Sequence, residues 1–177
     1  MNVLAICGSL RTASINRMLL HAAIRLSPPG MDIALYPDLG KLPLYNPDLE
    51  LCIPEPVARF RAQVAASQAL LIASPEYAHG VTGTLKNALD WLVSFEPFAN
   101  KPVALLNASP RAHYADAALR EILKTMSAEL VEAASITVPL LGAELTEEEI
   151  ATHPVISIAI AIALLELQAS TSRRISH

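Results

Sequence analysis

With 177 residues the chain fits one hydrophobic core, because single domains usually hold about 100 to 200 residues, so residues 1–177 are expected to form one domain and not a multidomain machine. Hydrophobic residues make up 53% and charged residues 17%, against roughly 25% charged in ordinary soluble domains, which excludes disorder as the dominant state. The formal net charge is −4 and Lys and Arg form no run, so there is no electrostatic footprint for nucleic acid.

Val3–Cys7 is a short apolar run read as a first strand, too short and too poor in flanking basic residues for a signal-peptide core. A loop, Gly8 to Asn16, opens a helix whose apolar face is Ile15, Met18, Leu19, Ala22, Ala23 and Leu26, and Ser27-Pro28-Pro29-Gly30 ends it. Met31–Tyr36 reads as a second strand. The Pro-rich stretch Asp38–Pro56 interleaves prolines with apolar residues, which predicts an ordered surface excursion and not a linker. Val57–Ser67 has helical spacing, Ala69–Ala73 is a fully apolar third strand, Ser74–Gly83 breaks it, and Thr84–Leu92 is the next helix.

Pro102–Asn107 follows as a strand, with its proline at a suitable start, and a second break runs from Ala108 to Ala112. A helix with Leu119, Ile122, Leu123, Met126 and Leu130 on one face leads to a fifth strand expected near Val131 to Leu140. Thr146 and Glu149 form a capping box, and a final helix is expected from about Pro154 to Gln168, although Ile158–Ala163 alternates as a strand would. Val155–Leu165 falls short of the roughly 20 residues that cross a bilayer. Cys7 and Cys52 have neither disulfide nor metal-ligand spacing and read as small apolar fillers in a reducing, cytoplasmic compartment. Strands alternating with helices predict an α/β fold, a doubly wound parallel sheet of five strands with helices on both faces.

In such a sheet ligands sit beyond the carboxyl ends of the strands, where three loops should converge. The first, Gly8-Ser-Leu-Arg-Thr-Ala-Ser-Ile-Asn16-Arg17, offers hydroxyls at Ser9, Thr12 and Ser14, the Asn16 amide, the Arg11 guanidinium and the free N–H groups of a helix start, a combination suited to a terminal phosphate. It lacks the Gly-Lys-Ser/Thr of a nucleotide P-loop and the three glycines of a dinucleotide turn, which points to a mononucleotide. The plainer alternative is that Ser14 or Asn16 caps the helix while Arg11 is a solvated charge. The second loop, Ser74-Pro-Glu-Tyr-Ala-His-Gly-Val-Thr-Gly83, carries an aromatic and glycines that let backbone approach a planar ring; otherwise Tyr77 is a core aromatic and His79 a surface histidine. Glu76 has no second carboxylate or histidine placed to work with it and reads as a structural hydrogen-bonder, so no catalytic residue and no metal ligand is assigned.

Gly8-Ser-Leu-Arg11 with Ser14-Ile-Asn16-Arg17, Ser74-Pro-Glu-Tyr77 and Gly83-Thr-Leu-Lys-Asn-Ala-Leu-Asp-Trp91 together resemble the NADPH-dependent FMN reductase family of flavodoxin-like proteins, over about residues 1 to 142. By that resemblance Ser9, Arg11, Ser14, Ile15 and Asn16 hold the FMN phosphate, Pro75, Glu76, Tyr77, Ala78, His79 and Gly80 flank the ribityl chain and isoalloxazine, and Ser109 and Arg111 add to the site from the third loop. The chain departs from the family at Ala78, where Asn is common, at Thr82-Gly83, where Pro-Gly is common, and in the third loop, usually glycine-rich, where bulky Arg111, His113 and Tyr114 are expected to narrow the face on which rings stack.

The resemblance implies an FMN-dependent oxidoreductase that takes electrons from NADH or NADPH and passes them to quinone-like or other small acceptors. The alternatives are a flavodoxin-type electron carrier and a binding or sensing module with weak or no reductase activity. Surplus apolar surface, in a chain of mean hydropathy +0.39, together with the habits of the family, implies a homodimer or homotetramer, with no nucleic-acid or membrane partner.

Overall fold

The computed structural model describes residues 1–175. In chain order its elements are β1 (Asn2–Cys7), α1 (Ile15–Arg25), β2 (Asp32–Leu35), α2 (Glu55–Ala66), β3 (Ala69–Ala73), β4 (Glu76–Tyr77), β5 (Gly80–Val81), α3 (Gly83–Asp90), β6 (Pro102–Asn107), α4 (His113–Thr125), β7 (Glu129–Leu130), β8 (Ile136–Thr137), α5 (Glu147–Thr152) and α6 (Ile156–Ile175). β1 pairs in parallel with β2 and β3, β3 with β6, and β6 with both β7 and β8. The order β2-β1-β3-β6-β7 is doubly wound, and its direction reverses between β1 and β3.

Strand side chains alternate between two cores. Val3, Ala5, Cys7, Leu71 and Ala104 face α1, α5 and α6 through Leu19, Leu20, Ile150, Ile160, Leu164 and Leu167. Leu4, Ile6, Leu70, Ile72 and Leu105 face α2, α3 and α4 through Val57, Phe60, Leu85, Leu89, Leu119 and Leu123. Because both faces are covered, the strands read as continuous apolar runs. A fully buried leucine or phenylalanine here contributes about 1.5–3 kcal/mol.

The excursion between β2 and α2 is ordered by polar contacts that its prolines alone do not reveal. Trp91 Nε1 and Asn87 Nδ2 donate to the Pro43 carbonyl at 2.8 and 3.0 Å, and Asn87 Oδ1 accepts from Tyr45 N–H at 2.8 Å. Arg61 grips Glu50 with both terminal nitrogens and also donates to the Trp91 carbonyl. Cys52 in this stretch is exposed, so it is not the apolar filler that its residue type suggests, whereas Cys7 is buried.

Two further expectations are corrected, the fifth strand and the length of the final apolar segment, while the capping box and the final helix are found as expected. The single fifth strand expected near Val131–Leu140 is instead two short segments, β7 before that range and β8 inside it, separated by a 3-10 turn at Glu132–Ala134, and Leu130, expected on the preceding helix face, belongs to β7. Ser135 fills the gap: its Oγ accepts Leu105 N–H at 3.1 Å and donates to the Val131 carbonyl at 3.0 Å. The capping box at Thr146 opens a separate short helix, α5, and α6 starts two residues after Pro154, where His153 Nδ1 accepts from the N–H groups of Val155 and Ile156 at 3.2 Å each. By length and composition α6 is apolar enough to cross a membrane over Ile156–Arg173, longer than the apolar run implied, but Ile160, Leu164 and Leu167 are buried against the sheet.

Candidate functional site

The loops after β1, β3 and β6 meet at the carboxyl edge of the sheet, and the β1–β3 register brings the first two together. Cys7 lies opposite Ala73, and Gly8 N–H continues the ladder to the Ala73 carbonyl at 2.8 Å. A Cβ on Gly8 would sit 2.2 Å from Ser74 Oγ, so the close approach of the two loops requires glycine. Thr82 Oγ1 then donates to the Gly8 carbonyl at 2.7 Å and accepts Leu85 N–H at 3.3 Å, capping α3 and locking both loops with one hydroxyl.

In the first loop Ser14 is the N-cap of α1, its Oγ accepting Arg17 N–H at 3.5 Å. Ser9 is buried, with Oγ accepting Arg11 N–H at 3.4 Å, and Arg11 itself is exposed. Asn16 is 3% exposed, and its Oδ1 has no hydrogen-bond partner among the described residues; the same holds for Arg17 Nε. A buried polar atom without a partner is costly in an isolated chain and marks where another group is received. Below them Cys7 donates to the Ser9 carbonyl at 3.5 Å, and burial pushes its thiol pKa up, so it stays a neutral thiol and no nucleophile.

The second loop is not a plain turn but a two-stranded hairpin, with Glu76 opposite Val81 and Tyr77 opposite Gly80. Its turn residues Ala78 and His79 have φ of +49° and +59°. Tyr77 is 53% exposed and so no core aromatic. Glu76 is the structural hydrogen-bonder its surroundings in sequence suggested: Oε2 accepts Ala115 N–H at 2.8 Å, serving the first turn of α4, whose own N-cap, Ala112, has no side chain to do so. In the third loop Asn107 Oδ1 accepts Ser109 N–H at 3.0 Å, and Ser109 Oγ accepts Arg111 N–H at 3.2 Å.

These loops wall a cleft of about 260 Å³ lined by Ile15, Asn16, Ser74, Pro75, Glu76, Asn107, Ala108, Ser109, Arg111, Ala112 and Leu141. The structure thus brings Ile15, Asn16, Pro75, Glu76, Ser109 and Arg111 to one cleft. It leaves Ser9 and Ser14 inside the first loop, Arg11 outside the lining, and Tyr77, Ala78, His79 and Gly80 on the hairpin beyond it. Of the three bulky residues expected to narrow this face, Arg111 lines the cleft, whereas the Tyr114 ring stacks on His79 and is flanked by the tilted His113 ring, outside the lining. Asn107 and Leu141 were not foreseen as lining. Asn107 was legible as the polar end of an apolar strand; Leu141 arrives from the segment after β8, and no local pattern announces it. Arg17 stood in the sequence motif without a role, and its orphaned Nε now places it among the candidate site groups.

The Asn16 amide, the hydroxyl residues Ser74 and Ser109 and the Arg111 guanidinium, set among apolar walls, suit a ligand with polar or anionic groups on a larger body. The family model described as NADPH-dependent FMN reductase matches residues 1–140. The chain is 50% identical over 110 residues to an NAD(P)H-dependent FMN reductase of Pseudomonas aeruginosa, 60% of this chain and 59% of that one. It is 43% identical over 113 residues to an NAD(P)H:quinone oxidoreductase of Solanum tuberosum, 60% and 57% of the two chains. The match therefore spans less than two thirds of the length of these curated relatives. Among solved structures, the flavoenzyme NAD(P)H:(acceptor) oxidoreductase of Paracoccus denitrificans superposes with a TM-score of 0.81 at 26% identity, covering 94% of this chain and 95% of that one. With more than half its length matched by the family model, the chain belongs to the NADPH-dependent FMN reductase family.

Proposed function

We propose that the protein binds FMN in this cleft and passes electrons from NADH or NADPH to small acceptors of the quinone class. The observation that carries the reading is Asn16, buried at the start of α1 and lining the cleft with Oδ1 unpartnered among the described residues. That oxygen takes a ligand hydroxyl, while the same amide donates to an anion. The residues fit the cofactor. Ser9, Arg11, Ser14, Ile15 and Asn16, joined by Arg17, would hold the phosphate; Pro75, Glu76, Tyr77, Ala78, His79, Gly80, Ser109 and Arg111 would flank the rest. Bound there, FMN would supply the redox chemistry between a reduced nicotinamide and the acceptor. The chain's own residues would bind and orient the group, and solvent would supply the proton that accompanies the hydride when a quinone becomes a hydroquinone. The names of the relatives, FMN reductase and quinone oxidoreductase, support the choice of acceptor class.

Titration of the purified protein with FMN should quench flavin fluorescence to saturation, NADPH should then bleach the visible flavin band, and a benzoquinone should restore it. Asn16→Ala should weaken FMN binding about tenfold, the equivalent of one buried hydrogen bond to a charged or polar ligand group. A protein that takes up no FMN and oxidises no NAD(P)H with quinone present refutes the reading.

We also infer assembly into a homodimer or homotetramer. Ile158, Ile162 and Leu165 are exposed at four- and three-residue spacing along α6, with exposed Val155 just before it, which is the pattern of a helix seam. No Lys or Arg lies between Val155 and Ala169 to favour an anionic lipid surface instead. Free Cys7 and exposed, free Cys52 support placement in the reducing cytoplasm.

A further inference from the structure

Pro75 and Glu76, which line the cleft, lead directly into the turn Ala78-His79. Both turn residues hold the left-handed backbone region, which non-glycine residues keep only where the surroundings impose it. The tight pairing of Tyr77 with Gly80 sets this two-residue turn, and two contacts from the first turn of α4 brace it. Ala115 N–H donates to Glu76 Oε2 at 2.8 Å. The His79 imidazole lies flat on the Tyr114 phenol, ring centres 4.4 Å apart and planes within 10°, and His113 flanks the same phenol at 4.1 Å with a 37° tilt. All three rings are at the surface, Tyr114 being 50% exposed, so the stack does not fill a core.

We propose that Tyr114 is a positioning residue for cofactor binding: by clamping His79 it fixes the hairpin turn and, through the turn, the cleft wall at Pro75 and Glu76. The proposal rests on the reading that the cleft takes FMN. Held in advance, that wall is ordered before the cofactor arrives, and the ordering cost is not deducted from affinity.

The test compares Tyr114→Ala and Tyr114→Phe with the wild-type protein by FMN fluorescence titration and by hydrogen exchange of residues 75–82 without cofactor. Both variants change an exposed side chain, and matching far-UV dichroism verifies their folding. Tyr114→Ala should speed exchange in the hairpin and raise the Kd for FMN about two- to tenfold, the equilibrium equivalent of one ring stack. Tyr114→Phe, which keeps the ring, should retain both wild-type values. Unchanged FMN affinity in Tyr114→Ala overturns the proposal even where exchange rises, since the ring would then be merely structural. Equal loss in Tyr114→Phe overturns it as well, because the hydroxyl and not the stack would matter. Failure of the cofactor reading looks different: the wild-type protein itself takes up no FMN, and the exchange rates then decide whether Tyr114 clamps the turn.

Discussion

Gly8→Ala probes how the first two loops of the site are joined. The added Cβ would lie 2.2 Å from Ser74 Oγ, 2.7 Å from Ser74 Cβ and 3.2 Å from Thr82 Oγ1. Ser74 cannot simply retreat, because the residue before it is held in the β1–β3 ladder, where Gly8 N–H donates to the Ala73 carbonyl. Forcing a methyl into such a space costs about 1–3 kcal/mol, and displacing Thr82 Oγ1 from the Gly8 carbonyl costs about 1 kcal/mol more. The expected loss is about 2–4 kcal/mol. With an unfolding entropy near 2.1 cal/mol/K per residue, that lowers the Tm of a chain this long by roughly 5–11 °C. Thermal unfolding followed by circular dichroism measures the shift. Ser74→Gly in the same chain removes the two nearest atoms, so the double variant should regain more than half of it. A Tm for Gly8→Ala within about 2 °C of wild type, or a double variant no better than the single one, refutes the argument that this contact sets the loop geometry.

Glu50→Gln tests the Arg61 grip. The guanidinium hydrogen bonds hold the Glu50 carboxyl below its ordinary pKa, so its contribution, about 1 kcal/mol for a pair whose side chains are partly buried, is present above the unfolded value near 4.3 and disappears as pH falls through the lower folded value. Urea unfolding at pH 7 should separate the variant from wild type, and the gap should close in acid. Lys101→Met should cost about 2–4 kcal/mol in urea unfolding, because Lys101, 9% exposed, donates to the carbonyls of Val64 and Ser67 at the end of α2, and methionine leaves them bare. Ile162→Glu should convert the assembled protein to monomer in light scattering at micromolar concentration; an unchanged mass argues against the α6 seam.

Much of this architecture was legible because buried parallel strands write themselves as unbroken apolar runs. Ala69–Ala73 and Pro102–Asn107 have the bounds read from sequence. The loops at their carboxyl ends were legible for the complementary reason, polar and turn-forming residues directly after a buried run. What escaped was set by partners distant in sequence. The split between β7 and β8 depends on one hydroxyl, Ser135, meeting Leu105 N–H, and nothing within Val131–Leu140 encodes that meeting. The separation of α5 from α6 turns on His153 serving as a cap, although a histidine before proline carries no such signal. In the site, Arg111, His113 and Tyr114 look equally bulky in sequence, and the folded chain alone sorts the guanidinium into the cleft and the Tyr114 ring onto His79.

The interrupted border of the sheet has a bearing on behaviour at high concentration. A long, flat outer strand offers a row of open N–H and C=O groups on which another chain can crystallise as an added strand, the first step toward fibres. Beyond β6 this protein presents two ladders of two residues each, kinked apart by the Glu132–Ala134 turn, with Ser135 occupying the gap between them. No incoming strand finds more than two consecutive residues in register on that side. The break that hid the strand from the sequence pattern is thus a safeguard, leaving a chain rich in aliphatic residues without a template for amyloid growth along this border.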